Sequence, residues 1–155
     1  MHGSIHYPDA IDPSKVGTYP AVACAGGGYV WDAVLEYRVW CHPERGAPDE
    51  FDGSDYYCAY ATYKEALAFS EQCEGAETPM ALILQEEFID ESTEGQYRHV
   101  KAQRIAEWAV IFLKRPKRTP ETIPAFLSPC APANRLDIIR GLAIPSSSDD
   151  APQHD

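Results

Sequence analysis

The chain has 155 residues, 45% hydrophobic and 24% charged, a length and composition typical of one globular domain with a sizeable core. Its formal charge of −11 at pH 7 argues against non-specific binding to nucleic acid or to an anionic membrane surface, since both are negatively charged. No apolar stretch is long enough to predict a membrane-spanning helix, and no signal peptide is expected.

The charge is divided unevenly along the chain. Residues 1–97 carry 18 acidic and 4 basic side chains, whereas residues 98–143 carry 9 basic and 3 acidic ones. The basic part includes a cationic run at residues 114–118. Such a run is most often a solvated turn, but an anion or phosphate site and a contact with RNA or an acidic partner are alternatives.

The five cysteines are an odd number, so at least one thiol is free, and none of them forms a CxxC motif. Free thiols indicate a reducing compartment, and we therefore expect a cytoplasmic protein. The gaps of 17, 17 and 15 residues between the first four cysteines are too wide for a zinc knuckle. We predict no metal site; the zinc ligands that would otherwise be considered are Cys41, His42, Cys58 and Cys73.

Both ends of the chain are predicted to lie outside the folded domain. Residues 1–28 contain three prolines and little apolar periodicity, which predicts a flexible N-terminal segment. The glycine run at residues 26–28 is interpreted as a hinge rather than a phosphate loop, because no strand precedes it and no Lys-Ser or Lys-Thr pair follows. A single domain is expected over residues 29–143, followed by a disordered acidic tail over residues 144–155.

The first half of the domain is predicted to contain two strands and a helix. Residues 35–41 alternate between apolar and polar side chains, which is the period of a strand with one buried face. An acidic loop separates this strand from a short, tyrosine-rich strand at residues 56–61. Thr62 and Glu65 then form a capping-box pattern that starts a helix, and Gly75 is expected to close it.

The second half is predicted to contain three more strands and two short helices. A strongly apolar strand over residues 80–89 is followed by a polar turn at residues 90–95. Each helix is marked by a capping residue, Thr119 with Pro120 in the first turn for one and Asn134 for the other. The remaining strands are an edge strand over residues 96–101 and a packed strand over residues 105–113.

Strands and helices in this order, β-β-α-β-β-β-α-α, do not alternate regularly. The order predicts an α+β fold with a mainly antiparallel sheet of about five strands, one helix after the second strand and short C-terminal helices. Small α+β proteins often place reactive side chains at strand ends beside a loop, which directs attention to residues 37–60.

The strand that ends near residue 42 and the tyrosine-rich strand that enters the capped helix resemble the opening of ADP-ribosyltransferase-like folds. The resemblance covers about residues 37–87, and it implies NAD as the cofactor. Cleavage of the bond between ribose and nicotinamide requires orientation of NAD and a negative charge near the developing cation.

The resemblance assigns a role to each candidate residue. Arg38 or His42 would hold the ribose or phosphate of NAD, and Tyr57 would stack on nicotinamide. Glu86, or its neighbour Glu87, would stabilise the oxocarbenium-like transition state. The predicted catalytic residues are Arg38, Tyr57 and Glu86, and the predicted cofactor-binding residues are Arg38, His42 and Tyr56.

A second resemblance covers about residues 29–143. Its segments at 29–43 and 131–137 are similar to a family of small, uncharacterised bacterial proteins that sometimes carry a GNAT-type acetyltransferase label. That label implies acetyl-CoA as the ligand and a pyrophosphate loop, Gln/Arg-x-x-Gly-x-Gly/Ala, that opens a helix. The nearest fragment in this chain is Arg140-Gly141, where the two residues are adjacent and no helix follows.

Cysteine-based hydrolysis is a further alternative, in which His99 would activate Cys41 or Cys58. Cys41 and His42 cannot pair with each other, because adjacent residues on a strand point to opposite faces. Small buried thiols are the commoner role of such cysteines.

The non-enzymatic hypothesis is an acidic interaction or regulatory module. Its partner would be a protein, bound through the acidic first half and its aromatic side chains, because aromatic residues dominate the energetics of protein interfaces. Neither nucleic acid nor a membrane is expected as a partner. The aromatic residues concerned are Tyr29, Trp31, Trp40, Tyr56 and Tyr57.

Overall fold

A five-stranded sheet forms the centre of the computed structural model, which describes residues 6–142 of the chain. Two further strands form a separate hairpin. The strands are β1 (Cys24–Ala25), β2 (Ala33–Cys41), β3 (Tyr56–Tyr60), β4 (Met80–Gln85), β5 (Phe88–Thr93), β6 (Gln96–Val100) and β7 (Arg104–Ala109). The order in the main sheet is β1-β7-β4-β2-β3, and only the β1–β7 pair is parallel.

The predicted α+β class, with its mainly antiparallel five-stranded sheet, is confirmed. One helix follows the tyrosine-rich strand β3, and two short helices lie near the C-terminal end of the described chain. Within residues 6–142, no helix has the length and apolar character that are needed to cross a bilayer. The helices are α1 (Tyr63–Gln72), α2 (Thr122–Leu127) and α3 (Arg135–Arg140), with 3-10 helices at Pro13–Lys15, Pro43–Arg45 and Val110–Lys114.

The helix start predicted at Thr62 is confirmed, and the Thr62 half of the capping box forms, but the Glu65 carboxylate accepts from the Thr62 hydroxyl rather than from a backbone amide. The Thr62 hydroxyl accepts a hydrogen bond from the Glu65 amide at 3.1 Å and donates one to Glu65 Oε1 at 3.0 Å. We expect Thr62→Ala to lower the free energy of unfolding by about 1 kcal/mol, because an amide in the first turn loses its acceptor. Urea unfolding measures the change. Glu65→Gln is the matched control, since glutamine also serves in a capping box, and an equal loss in both variants would contradict the expectation.

Strand β2 is buried on both faces, whereas its alternating sequence predicts one buried face. Tyr37 and Val39 belong to the apolar core between the sheet and α1. The polar residues Glu36 and Arg38, on the opposite face, are also 0% exposed. They are covered because the chain before β1 contacts that face through Gly17 and neighbouring residues. Alternation along a strand reports the polarity of a face and not its burial.

The described part of the N-terminal segment, residues 6–28, packs on the domain. Tyr7 is 6% exposed and contacts the ring of Tyr63 on α1. The Tyr37 hydroxyl donates to Pro8 O at 2.5 Å, and the Ala10 amide donates to Ala61 O at 2.7 Å. The contacts therefore show no break at residue 28, where a flexible segment was predicted to end. The predicted acidic tail, 144–155, lies outside the described residues.

Two predicted strands are shorter than the apolar pattern indicates. The run at 80–89 is divided after Gln85, and its last residues, with most of the predicted turn at 90–95, form β5. The division occurs because Ile89 belongs to a second apolar cluster rather than to the core under the main sheet. Likewise, β7 ends at Ala109, and the rest of the predicted strand at 105–113 is a 3-10 helix.

The second apolar cluster joins the β5–β6 hairpin to the C-terminal helices through buried Ile89, Phe126 and Ile139. The helix starts differ in detail from the predictions made for Thr119 and Asn134. Helix α2 begins at Thr122, with Glu121 rather than Thr119 at the N-cap. Asn134 does occupy the N-cap of α3, but its side chain makes no capping hydrogen bond.

Candidate functional site

Arg38 is held in the interior by the protein itself. Its side chain is 0% exposed, and its guanidinium donates four hydrogen bonds to protein oxygens. It also lies 4.4 Å from the centre of the Tyr57 ring. With these partners, Arg38 joins the N-terminal segment to the sheet, and its buried guanidinium is not accessible to a cofactor. The acceptors are Glu36 Oε2 (2.7 Å), Pro20 O (2.5 Å), Ala21 O (3.1 Å) and Glu107 Oε2 (3.4 Å).

The group around Arg38 is a connected polar network. Glu36 also accepts from the Gly17 amide at 2.7 Å, and Glu107 accepts from Trp40 Nε1 at 2.9 Å. One guanidinium is thus shared by two carboxylates, of which Glu36 is buried and Glu107 has 20% of its side chain exposed. A buried carboxylate such as Glu36 is tolerated when it is paired and hydrogen bonded.

The two adjacent tyrosines of the predicted site lie on opposite faces of β3, as the period of a strand requires. Tyr57 shares the network face with Arg38, and its hydroxyl donates to Tyr19 O at 3.2 Å. Tyr56 packs against the apolar core, and its hydroxyl donates to Pro48 O at 2.8 Å. The structure therefore brings Tyr57 to Arg38 and directs Tyr56 elsewhere.

Glu86 is not brought to Arg38 and Tyr57. Strands β2 and β4 are antiparallel, with Arg38 opposite Met80 at one end of β4. Glu86 is exposed in the turn beyond the other end of β4, about 20 Å away along an extended strand. Its amide donates to Asp32 Oδ2 at 2.6 Å. The neighbouring Glu87 contacts His99 instead, so neither glutamate faces the network.

His42 lies at the N-cap of the 3-10 helix Pro43–Arg45, apart from the network. Its Nε2 is hydrogen bonded to the Glu77 carboxylate, and its Nδ1 lies 3.0 Å from Asp55 Oδ1. The approach to Asp55 has ion-pair distance without hydrogen-bond alignment. The hydrogen bond to Glu77, followed by the contact with Asp55, raises the pKa of His42.

The cysteine–histidine pair considered for hydrolysis is not assembled. Burial raises the pKa of the Cys41 thiol to about 12 and also raises that of Cys58, so both are protonated at neutral pH and poor nucleophiles. His99 lies on β6 of the separate hairpin, where its Nε2 is 2.7 Å from Glu87 Oε1. All five cysteines are free thiols.

A cleft of about 400 Å³ lies at the β1–β7 side of the molecule. Its walls come from the glycine run at 26–28 with Tyr29, from β5, and from β7 with the 3-10 helix that follows it. Two arginines and two aromatic rings face it from the last wall: Arg104, Trp108, Phe112 and Arg115.

The glycine run is shaped by its contacts with that wall. All three glycines have positive φ values, between +72° and +82°. Trp108 Nε1 donates to Gly27 O at 3.0 Å, and Gln85 Nε2 donates to the same oxygen at 3.1 Å. A Cβ on Gly28 would lie 2.2 Å from Gln85 Nε2, so only glycine fits there without displacement of the buried amide. The run predicted as a hinge is instead a packed wall of the cleft.

The cations of the cleft have no carboxylate partner within residues 6–142. Arg104 donates to Gln85 Oε1 at 2.5 Å and stacks on a phenylalanine ring of the hairpin. Arg115 lies 4.8 Å from the Phe112 ring centre and 5.6 Å from that of Trp108, and it donates to Tyr29 O at 2.9 Å. Burial, and then the charge of Arg140, lowers the pKa of Arg115.

The two carboxylates of the cleft are, by contrast, each engaged by other donors. Asp90 accepts from Ser92 Oγ at 2.6 Å. Glu91 accepts from the Tyr29 hydroxyl and from the Gly95 amide, and these hydrogen bonds lower the pKa of Glu91. Within residues 6–142, the cleft lining therefore carries two cations and two carboxylates. Each carboxylate already accepts a hydrogen bond from a neighbouring hydroxyl, whereas neither guanidinium has a carboxylate partner in this part of the chain.

The cleft was not predicted as a site from the sequence. One signal was present in the basic run 114–118, for which an anion site was an alternative, since Arg115 belongs to that run and lines the cleft. A second signal was Tyr29, which directly follows the glycine run. Glycines let a ligand or another backbone approach closely, and the adjacent tyrosine places an aromatic ring at the same point.

The aromatic surface predicted for a protein partner is largely covered in the structure. Trp31 is 4% exposed, and the other four aromatic residues of that group are half-buried. Trp40 and Tyr57 pack on each other with ring centres 5.0 Å apart.

Comparison of the chain with protein-family models, with curated proteins and with solved structures gives no match. The two family resemblances suggested by the sequence therefore stay predictions, and the functional argument depends on the geometry of the chain.

Proposed function

We propose that this protein is a non-catalytic binding module whose cleft takes an anionic small molecule with a planar ring, with nucleotides as the first candidates. The observation that carries the proposal is the pair of guanidinium groups, Arg104 and Arg115, that line one cleft without a carboxylate partner in the described chain. Burial disfavours the charged form of Arg115, and a bound anion next to its guanidinium would favour that form again.

The size and lining of the cleft support a small ligand rather than a protein surface. Its volume of about 400 Å³ lies in the range of small-molecule sites, which combine apolar walls with a few placed polar groups. Phe112 is 45% exposed and provides a ring face, beside the buried Trp108. Arg115 presents the planar fork that suits phosphate and carboxylate. A ring can stack on such a wall while its anionic group meets the guanidinium.

A titration of the isotopically labelled protein with NAD, acetyl-CoA and ADP tests this proposal. ADP is included because NAD and acetyl-CoA both contain an adenosine diphosphate unit. We expect saturable shifts at Tyr29, Trp108 and Arg115, and none at Arg38 or Tyr57. Shifts confined to Arg38 and Tyr57 would favour the site predicted from the sequence, and no saturable response to any of the three would overturn the nucleotide proposal.

Substitution in the cleft should then weaken binding specifically. We expect Arg115→Met to raise the dissociation constant roughly tenfold or more, since a hydrogen bond to a charged group contributes about 1.5–3 kcal/mol. Isothermal titration calorimetry measures the change. Lys114→Met is the matched control, because it removes an exposed cation from the same basic run without touching the cleft lining. Equal losses in both variants would indicate general charge attraction only.

A transferase activity is the second candidate, and one contact favours it. Glu91, Tyr29 and Arg115 form a connected set in the cleft: Tyr29 donates to Glu91 through its hydroxyl and accepts from Arg115 through its carbonyl. Glu91 is ionised at neutral pH, and its hydrogen bonds lower its pKa further; an ionised carboxylate is what stabilisation of an oxocarbenium-like ion requires. This set contains the residue types predicted at Arg38, Tyr57 and Glu86.

Release of nicotinamide from NAD separates the two candidates. In that reaction water adds to the ribose carbon, the bond to nicotinamide breaks with its electron pair on the departing ring, and ADP-ribose and a proton are formed. A protein that only binds NAD releases no nicotinamide. A transferase would release nicotinamide, and Glu91→Gln would abolish the release while NAD still shifts Trp108.

A further inference from the structure

A second cluster of polar groups lies at the opposite end of β2 from the turn that holds Glu86. His42, directly after β2, faces carboxylates from three different parts of the chain: Glu44, Asp55 and Glu77. One ligand atom each from His42, Glu44 and Asp55 lie within 4.8 Å of one another. His42 is 8% exposed, whereas Glu44 and Asp55 are exposed, so the cluster opens to solvent on its acidic side.

The hydrogen bond between His42 and Glu77 sets the chemistry of the other ring nitrogen. A neutral imidazole carries one N–H, and the acceptor at Nε2 is the Glu77 carboxylate. In the neutral ring, Nδ1 is then a lone-pair acceptor, and it is buried without a hydrogen-bond partner in the described chain. It faces Asp55 Oδ1 at 3.0 Å, so two acceptors approach each other. A positive species between them would turn this repulsion into attraction.

We propose that His42 Nδ1, Asp55 and Glu44 form a binding site for a divalent transition-metal cation of the Mn²⁺ or Zn²⁺ class. A histidine ligand with its other nitrogen held by a carboxylate is the usual arrangement around a bound metal, because the carboxylate fixes the tautomer and the ring orientation. Glu77 provides that contact here. One imidazole and two carboxylates suit Mn²⁺ and Zn²⁺ better than they suit Mg²⁺ and Ca²⁺, because Mg²⁺ and Ca²⁺ prefer sets made only of oxygen ligands.

The backbone around the cluster holds its central ligand in place. The His42 amide donates to Gly75 O at 2.9 Å, and the His42 carbonyl accepts from the amides of Arg45 and Ala47. The Glu77 amide donates to Trp40 O at 2.8 Å, which fixes the orienting carboxylate beside β2. The carboxylates that complete the set are on exposed segments, so they can close on an ion without displacement of the core.

Manganese is the probe that separates this site from the free thiols. The chain has five free thiols, and Zn²⁺ would also bind to thiolates, whereas Mn²⁺ prefers nitrogen and oxygen ligands. We expect sub-stoichiometric Mn²⁺ to broaden the amide signals of residues 42–46, 54–56 and 76–78 in the labelled full-length protein. The broadening should saturate at about one equivalent of Mn²⁺, and Zn²⁺ should reverse it by competition.

Three substitutions make the assignment specific. Asp55→Asn should weaken Mn²⁺ binding about tenfold or more, and Glu77→Gln should weaken it by about 10–100-fold although Glu77 is not a ligand. Glu50→Gln is the matched control, because it removes an exposed carboxylate from the same acidic loop and should leave the affinity unchanged. Spectra of the metal-free variants verify that each is folded.

The proposal is overturned by any of three results. Broadening that spreads over the acidic surface without saturation would show non-specific attraction by the net charge. Saturable binding that survives Asp55→Asn, or that Glu50→Gln weakens equally, would place the ion elsewhere. Absence of any broadening would mean that a proton on His42, rather than a metal, satisfies the carboxylates.

Discussion

Replacement of Arg38 by methionine is expected to lower the free energy of unfolding by about 3–5 kcal/mol. The variant keeps a long apolar side chain but removes the cation that offsets Glu36 and Glu107. Glu36 is 0% exposed, so its carboxylate would remain in the interior without its charged partner. The oxygens of Pro20 and Ala21 would also lose their donors. Urea unfolding followed by circular dichroism measures the loss.

Two further variants show whether the loss comes from the buried network. Arg98→Met removes an arginine whose side chain is 70% exposed and should change stability by no more than about 0.5 kcal/mol. Arg38→Met combined with Glu36→Gln should be more stable than Arg38→Met alone, because the carboxylate left behind is neutralised. If Arg38→Met instead leaves stability unchanged and abolishes NAD binding, Arg38 serves a cofactor, as the sequence analysis proposed.

The elements that could be predicted from the sequence are those set by local rules. The strand at 35–41 follows from its period of two, and it extends only two residues further at its start in the structure. Helix α1 follows from the capping pair Thr62 and Glu65, of which the Thr62 side chain accepts from the Glu65 amide as expected. In both cases, the determining interactions lie within a few residues of each other, and sequence spacing reports them directly.

The surroundings of Arg38 could not be predicted in the same way. An arginine between apolar residues on a strand has the same local pattern whether its face is open or covered. The difference is made by Pro20 and Ala21, which lie in a proline-containing segment without periodicity and reach Arg38 only through the tertiary fold. For this reason, the sequence suggested Arg38 as a cofactor ligand, whereas in the fold its guanidinium is bound by protein oxygens.

The candidate sites show the same limit. Arg38 and Tyr57 do meet, because β2 and β3 are neighbours and the register places them on one face. Glu86 does not join them, because the antiparallel pairing of β2 with β4 puts its turn at the far end. The cleft with Arg115 joins three segments that are far apart in sequence, and the His42 cluster joins residues 42–44 to Asp55 and Glu77. No spacing rule links such segments.

Substitution of Gly28 by alanine is expected to lower the free energy of unfolding by about 2–5 kcal/mol and to abolish ligand binding in the cleft. Part of this loss, about 1–2 kcal/mol, is the cost of a Cβ at a φ of +82°. The rest, about 1–3 kcal/mol, arises because the new Cβ would lie 2.2 Å from Gln85 Nε2. Gln85 cannot yield cheaply, since it is 0% exposed and donates to Gly27 O and Val30 O.

Gly26→Ala is the matched control for this prediction. Gly26 lies in the same run with a φ of +72°, but a Cβ there would meet nothing within 4 Å. It should therefore show only the backbone cost of about 1–2 kcal/mol and keep a cleft that still binds. The difference between the two unfolding free energies isolates the contact with Gln85. Equal stabilities would mean that the run tolerates movement and serves as the hinge that its composition suggested. A larger loss for Gly28→Ala would establish that Gly28 is needed for close packing against the wall of the site.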